Sequence, residues 1–171
     1  MSYAIIGFGS IGQALAHAFA RKSIDVTVAS RRPPEALAPQ ARAIGPTVVA
    51  RSLRDALEAD TIILAVPFWE HREVAKALPS WEGKTIIDAT NTNAPVEDLD
   101  GQPSSAVVAK AFTGARFVKG FNHLSAAVLA ADPNVICFTN RKLQASPPAL
   151  HEQRAVTYDA LLLRTRTSAH S

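Results

Sequence analysis

The sequence predicts an α/β fold built on a doubly wound parallel sheet, a single domain followed by an irregular carboxyl-terminal tail. Three observations carry that expectation. Over the first 140 residues, six short runs rich in β-branched residues alternate with longer Ala- and Leu-rich runs. Several short runs are apolar almost without interruption, as strands buried on both faces are. The spacing fits βαβ units with right-handed crossovers, which place neighbouring strands parallel.

The first strand is expected at Tyr3–Ile6 and is followed by the helical run "SIGQALAHAFARK". Asp25–Ala29 gives the second strand, and "PPEALAPQARAIG" the second helix, its Pro33-Pro34 start suiting a first helical turn. Thr47–Val49 is the third strand, and "SLRDALEAD" is a helix with Ser52 as its cap. Thr61–Val66 is the fourth strand, leading into "EHREVAKALPS". Thr85–Asp88 and Ala115–Lys119 complete the set, with "SSAVVAKAF" between them. The run "NVICF" is a candidate seventh strand. These elements define a domain over residues 1–140. From Thr139 onward the rhythm fails, and residues 141–171 read as a tail, an arm or a terminal helix partly disordered at its end.

Composition narrows the function classes. Hydrophobic residues make up 47% and charged residues 19% of the 171 residues, ordinary for a soluble globular domain. No apolar run approaches the roughly 20 residues of a membrane helix. The amino terminus lacks the basic segment of a signal peptide. The single cysteine, Cys137, lies in an apolar run and reads as a small buried hydrophobe. These features fit the cytoplasm. The net charge of +3 falls in the tail, since residues 1–140 carry 13 Lys+Arg against 13 Asp+Glu. No aromatics are interleaved with basic residues and no helix has one basic face, so nucleic-acid binding is not expected.

The segment Gly7-Phe8-Gly9-Ser10-Ile11-Gly12 follows the first strand directly and opens the first helix. In this pattern the first glycine permits the tight turn, the second lets backbone amides approach a pyrophosphate, and the third lets the helix sit close on the sheet. Helix-terminal amides and the helix dipole then hold the anion. The expectation is a dinucleotide-binding domain of the Rossmann type.

The second strand ends in Ser30, Arg31 and Arg32, about 20 residues past the glycines, where a ribose is read. A carboxylate there would accept from the 2′-hydroxyl of NAD. Asp25, the nearest acid, lies at the far end of the strand. Two guanidinium groups suit a 2′-phosphate, with Ser30 donating a further hydrogen bond. The cofactor expected is therefore NADP(H).

Ala65, Val66 and Pro67 close the fourth strand and are placed to meet the nicotinamide and its ribose. Phe68 and Trp69 are either a pocket wall or core. Asp88, Thr90 and Asn91 end the fifth strand, and Lys119, Asn122 and His123 end the sixth. These groups converge on one rim. His123 is the single candidate proton donor, although a lone histidine is more often a satisfied rim residue. His17 reads as structural, and no His/Cys/Asp cluster has metal-ligand spacing.

Taken together, "AIIGFGSIGQALA", "VTVASRR", "SLRDALEADTIILAVP", "IIDATN" and "GARFVKGFNHL" resemble the NADPH-dependent coenzyme F420 reductase family over about residues 3–138. The resemblance implies hydride transfer between NADP(H) and a deazaflavin ring. By motif it implies Gly7–Gly12 at the pyrophosphate and Ser30, Arg31 and Arg32 at the 2′-phosphate. It also implies Val66 and Pro67 at the nicotinamide, and Asn91 with Asn122 and His123 near the acceptor. Such chemistry needs stacked rings with reacting carbons about 3–3.5 Å apart more than it needs an acid–base pair. The tail departs from the family pattern, which leaves a flavin or small quinone as alternative acceptors. A β-hydroxyacid dehydrogenase would need a long helical second domain, for which the 171 residues leave no room. A non-catalytic NADP(H)-binding regulator is the alternative of a different class. A homodimer is expected by analogy with folds that complete their pocket from a neighbouring subunit.

Overall fold

A computed structural model describes residues 1–92 and 94–132, all within one compact unit, Met1–Val135. Six parallel strands, β1 (Tyr3–Ile6), β2 (Val26–Ala29), β3 (Val48–Ala50), β4 (Thr61–Leu64), β5 (Thr85–Asp88) and β6 (Arg116–Lys119), form one sheet in the order β3-β2-β1-β4-β5-β6. The chain starts in the middle, winds outward through β2 and β3, returns to β4 beside β1, and winds outward again. This is the doubly wound arrangement, and the switch point lies between β1 and β4. The six expected strands are all present. The candidate seventh strand "NVICF", Cys137 and the tail lie outside the described residues.

Period-two alternation within the apolar strands supplies two cores. Ala4 and Ile6 of β1, Ile62 and Leu64 of β4, and Ile86 of β5 face one side, against Ala56, Leu57, Val74, Trp81, Val108 and Phe112. Ile5, Val26, Val28 and Ile63 face the other, against Leu15, Ala16, Phe19, Leu37 and Ala41. The helices α1 (Ser10–Arg21) and α2 (Pro34–Ile44) therefore cover one face. The helices α3 (Leu53–Ala56), α4 (His71–Ala75) and α5 (Ser104–Ala111) cover the other. Uninterrupted apolar strands are what a sheet buried on both sides requires.

Helices α3 and α4 are shorter than the sequence suggests. The run 70–80 begins as a 3-10 turn, Phe68–Glu70, and α4 stops at Ala75, ahead of Leu78-Pro79, where a proline disfavours helical backbone. A sixth helix, α6 (Ala126–Ala130), follows β6 and lies against α1. Ser125 caps its start by accepting from the Val128 N–H at 3.4 Å. The Arg21 guanidinium at the end of α1 donates to the carbonyls of Leu129, Ala130 and Ala131, the groups a helix terminus leaves unpaired.

Candidate functional site

The carboxyl ends of β1 and β4 meet at the glycine turn. Gly7 has φ +102°, and a Cβ there would come within 2.3 Å of the Ala65 carbonyl oxygen. Gly12 is equally constrained from below, since a Cβ would lie 1.9 Å from the Gly7 carbonyl oxygen. Gly9 is different. Its backbone is extended, and the position of a Cβ has no other heavy atom within 4 Å. Gly9 and Ser10 are exposed and Ile11 is half-buried, so the first amides of the 12-residue α1 border open space. Those amides have no intrahelical partner. The Gln13 side chain donates to the Phe8 carbonyl at 3.2 Å and braces the turn. The Phe8 side chain is core, 3% exposed. Of the predicted residues in this segment, Phe8 therefore offers backbone only.

Ser30, Arg31 and Arg32 lie immediately beyond β2, beside this turn. The Ser30 hydroxyl accepts from the Arg32 backbone N–H at 3.0 Å, which leaves its own proton to donate. Arg32 Nη2 donates to Gln40 Oε1 at 3.4 Å. Arg31 forms an ion pair with Glu70 at 3.1 Å. Glu70 carries no signal for this contact in the sequence, because the pair spans 39 positions and depends on where the 3-10 turn after β4 points.

Past β4, Ala65 and Val66 are half-buried and Pro67 is exposed. Phe68 is buried in the core at 4% exposure, whereas Trp69 is 45% exposed and carries the Arg72 guanidinium 4.8 Å from its ring centre. Of the two aromatic residues, Phe68 is core and only Trp69 faces outward.

The far rim is built by β5 and β6. Asp88 and Lys119 are paired residues of the parallel register, and Lys119 Nζ donates to Asp88 Oδ2 at 2.8 Å and to the Thr90 carbonyl. Asp88 is fully buried, and its other oxygen accepts from the Thr90 N–H at 2.9 Å. Asn91 donates through Nδ2 to the Asn122 carbonyl at 2.9 Å, so these two predicted residues are brought together. His123 is exposed at the same rim. The Thr90 hydroxyl and Asn122 Oδ1 are buried without a protein partner. No group of three or more His, Cys, Asp or Glu among the described residues could hold a metal ion, and no helix among them is long and apolar enough to cross a membrane.

A glycine turn with room at its middle residue and a helix amino terminus, set at the switch point of a doubly wound sheet, are the features of a dinucleotide-binding domain. The chain belongs to the family described as NADP oxidoreductase coenzyme F420-dependent, which matches residues 2–92. It is accordingly an NADP-dependent oxidoreductase that binds NADP(H). A solved structure of a hypothetical protein from Sinorhizobium meliloti is 41% identical, with a TM-score of 0.73 over 78% of this chain and 67% of that one. A protein from Arthrobacter sp. FB24, assigned as an F420-dependent NADP reductase, is 20% identical, with a TM-score of 0.62 over 85% and 80% of the two chains. A reductive aminase from Aspergillus terreus, solved with NADPH and ethyl levulinate, is 22% identical, with a TM-score of 0.59 over 74% of this chain and 42% of that one. The last two likenesses concern the fold alone. Comparison with curated proteins gives no match.

Proposed function

We propose that the chain passes a hydride between NADP(H) and a deazaflavin, coenzyme F420, or a flavin-like ring. The observation that carries the reading is the open space at Gly9 beside Ser30, Arg31 and Arg32. A pyrophosphate approaches the turn where a side chain would block it, and the 2′-phosphate then falls next to the two guanidinium groups. Phe8, Ser10, Ile11 and Gly12 contribute backbone to this grip, and Gly7 holds the turn against β4.

NADPH, when bound, supplies the hydride. The chain's own part is grip and orientation. Ala65, Val66 and Pro67 back the nicotinamide half at the end of β4. Asn91, fixed to Asn122, shapes the acceptor side, and His123 is the group there able to give or take a proton. The deazaflavin assignment draws on the family and on the name given to the Arthrobacter protein. We also propose a homodimer whose second copy closes the acceptor side, an arrangement testable by sedimentation of the full chain.

The functional test is direct. NADPH and NADH are titrated into the pure protein by nicotinamide fluorescence, and NADPH oxidation is then followed with coenzyme F420, with FMN and with neither. Tight NADPH binding and acceptor-dependent oxidation are expected. Binding without turnover on any ring acceptor would remove the acceptor half of the reading, and failure to bind either nucleotide would remove all of it.

A further inference from the structure

The two arginines beyond β2 are not equivalent. Among the described residues Arg32 is engaged by neutral groups, the Ser30 hydroxyl through its backbone and Gln40 through its side chain. Arg31 is held by a carboxylate, Glu70, at 3.1 Å. Glu70 follows β4, whereas Arg31 follows β2, and β1 lies between those strands. The pair therefore reaches across the end of β1, over the glycine turn, on the side where the adenosine half of a dinucleotide would lie.

Glu70 is the better anchored partner. Its side chain is 28% exposed against 84% for Arg31. It closes the 3-10 turn that begins at buried Phe68, and the Trp69 ring packs edge-on against Phe68 with centroids 4.8 Å apart. A rearrangement at this place moves Arg31 and leaves Glu70 behind.

We propose that Glu70 is a specificity-determining residue, which holds Arg31 in the nucleotide-free protein and competes with the ribose 2′-phosphate for it. The inference rests on the assignment of Arg31 to that phosphate. A phosphate monoester carries about −1.5 to −2 charges near neutral pH and seeks the same guanidinium N–H groups. Once it takes Arg31, the Glu70 carboxylate stands unpaired near a second anion. NADH presents a hydroxyl at that point and meets no such penalty. An opposing effect exists, because Glu70 also orders the Arg31 side chain. For an arginine as exposed as this one, ordering by a surface pair contributes little. Repulsion between like charges at short range outweighs it, and Glu70 lowers the preference for NADPH over NADH.

The test uses the full chain and its Glu70→Gln variant, titrated with NADPH, NADH, 2′,5′-ADP and 5′-AMP. The variant should bind NADPH and 2′,5′-ADP about five-fold more tightly, equivalent to about 1 kcal/mol. Affinities for NADH and 5′-AMP should be unchanged. The gain should shrink as ionic strength rises, because the repulsion is screened. In an Arg31→Ala background Glu70→Gln should no longer favour NADPH through release of that arginine, so its gain should fall. Equal shifts for NADPH and NADH, or weaker NADPH binding in the variant, would overturn the proposal. A Glu70→Gln variant that shows no preference for NADPH over NADH would instead overturn the 2′-phosphate assignment beneath it, so the two failures are told apart.

Discussion

At Gly9 and Gly12 an added side chain has opposite consequences, because one glycine borders space and the other borders backbone. Gly9 is extended and its Cβ would meet nothing within 4 Å, so Gly9→Val should fold with a stability loss of no more than about 1 kcal/mol, the scale of a poor helix cap. The same side chain fills the space a pyrophosphate needs. Binding of NADPH and NADH should both disappear while the melting temperature hardly moves. Gly12→Ala places a methyl 1.9 Å from the Gly7 carbonyl oxygen, which cannot withdraw without moving β1 from β4. A cost of about 3 kcal/mol or more is expected by denaturant titration. The arginines make a third case. Their side chains are exposed, so Arg31→Ala with Arg32→Ala should leave stability nearly intact. Charged hydrogen bonds of about 1.5–3 kcal/mol correspond to NADPH affinity falling by roughly 10- to 150-fold, with NADH affinity little changed. Equal losses for both nucleotides would detach these residues from the 2′-phosphate.

Between elements, an ion pair ties the ends of β5 and β6 at the rim. Asp88 is fully buried, accepting from Lys119 and from the Thr90 N–H, so Lys119→Met leaves a buried carboxylate with half its partners. Lys119 is 23% exposed and water can partly replace it, which limits the expected loss to about 2–3 kcal/mol. Adding Asp88→Asn should recover part of that loss, because the amide oxygen still accepts from Thr90 while the unpaired charge is gone. A double variant less stable than Lys119→Met would contradict this account. At the opposite end of the sheet, Asp60 before β4 accepts from the Ser2 backbone at 2.7 Å and the Ser2 hydroxyl at 3.1 Å, tying the start of β1 to β4. The Ser2 backbone hydrogen bond, followed by its hydroxyl, lowers the Asp60 pKa from its ordinary 3.8. A lowered carboxyl pKa stabilises the folded chain at pH values above the unfolded value. That contribution is lost as pH falls through the folded value, so Asp60→Asn should flatten the acid limb of a stability–pH curve only below about pH 4. That Asp88 and Lys119 end their strands at one rim was legible in the sequence, whereas their pairing depends on the parallel register that sets them opposite each other. Helix α6 leaves a fainter signal in the sequence, Ser125 ahead of a short Ala-rich run without an amphipathic stripe.

For the whole molecule, the apolar strands and their spacing were enough to predict a doubly wound parallel sheet, because burial on both faces leaves a parallel strand little choice of residue, while the order that sets β1 beside β4 is supplied by the structure. The Arg31–Glu70 contact was not legible. It depends on the direction of a three-residue turn, which periodicity does not encode. A dinucleotide lying across this switch point touches the ends of β1, β2 and β4 together, segments that separate when the sheet unfolds. Binding should therefore stabilise the chain as a unit. At a free NADPH concentration 100 times its dissociation constant, the linkage contribution is about 2.7 kcal/mol. For a chain of 171 residues this corresponds to a rise in melting temperature of about 5–10 °C. NADH at the same concentration should give a smaller rise, Gly9→Val should give none with either nucleotide, and Glu70→Gln should widen the gap between the two. A rise with NADPH that survives in Gly9→Val would place the nucleotide away from the glycine turn, and the crevice between β1 and β4 would then lose its assignment.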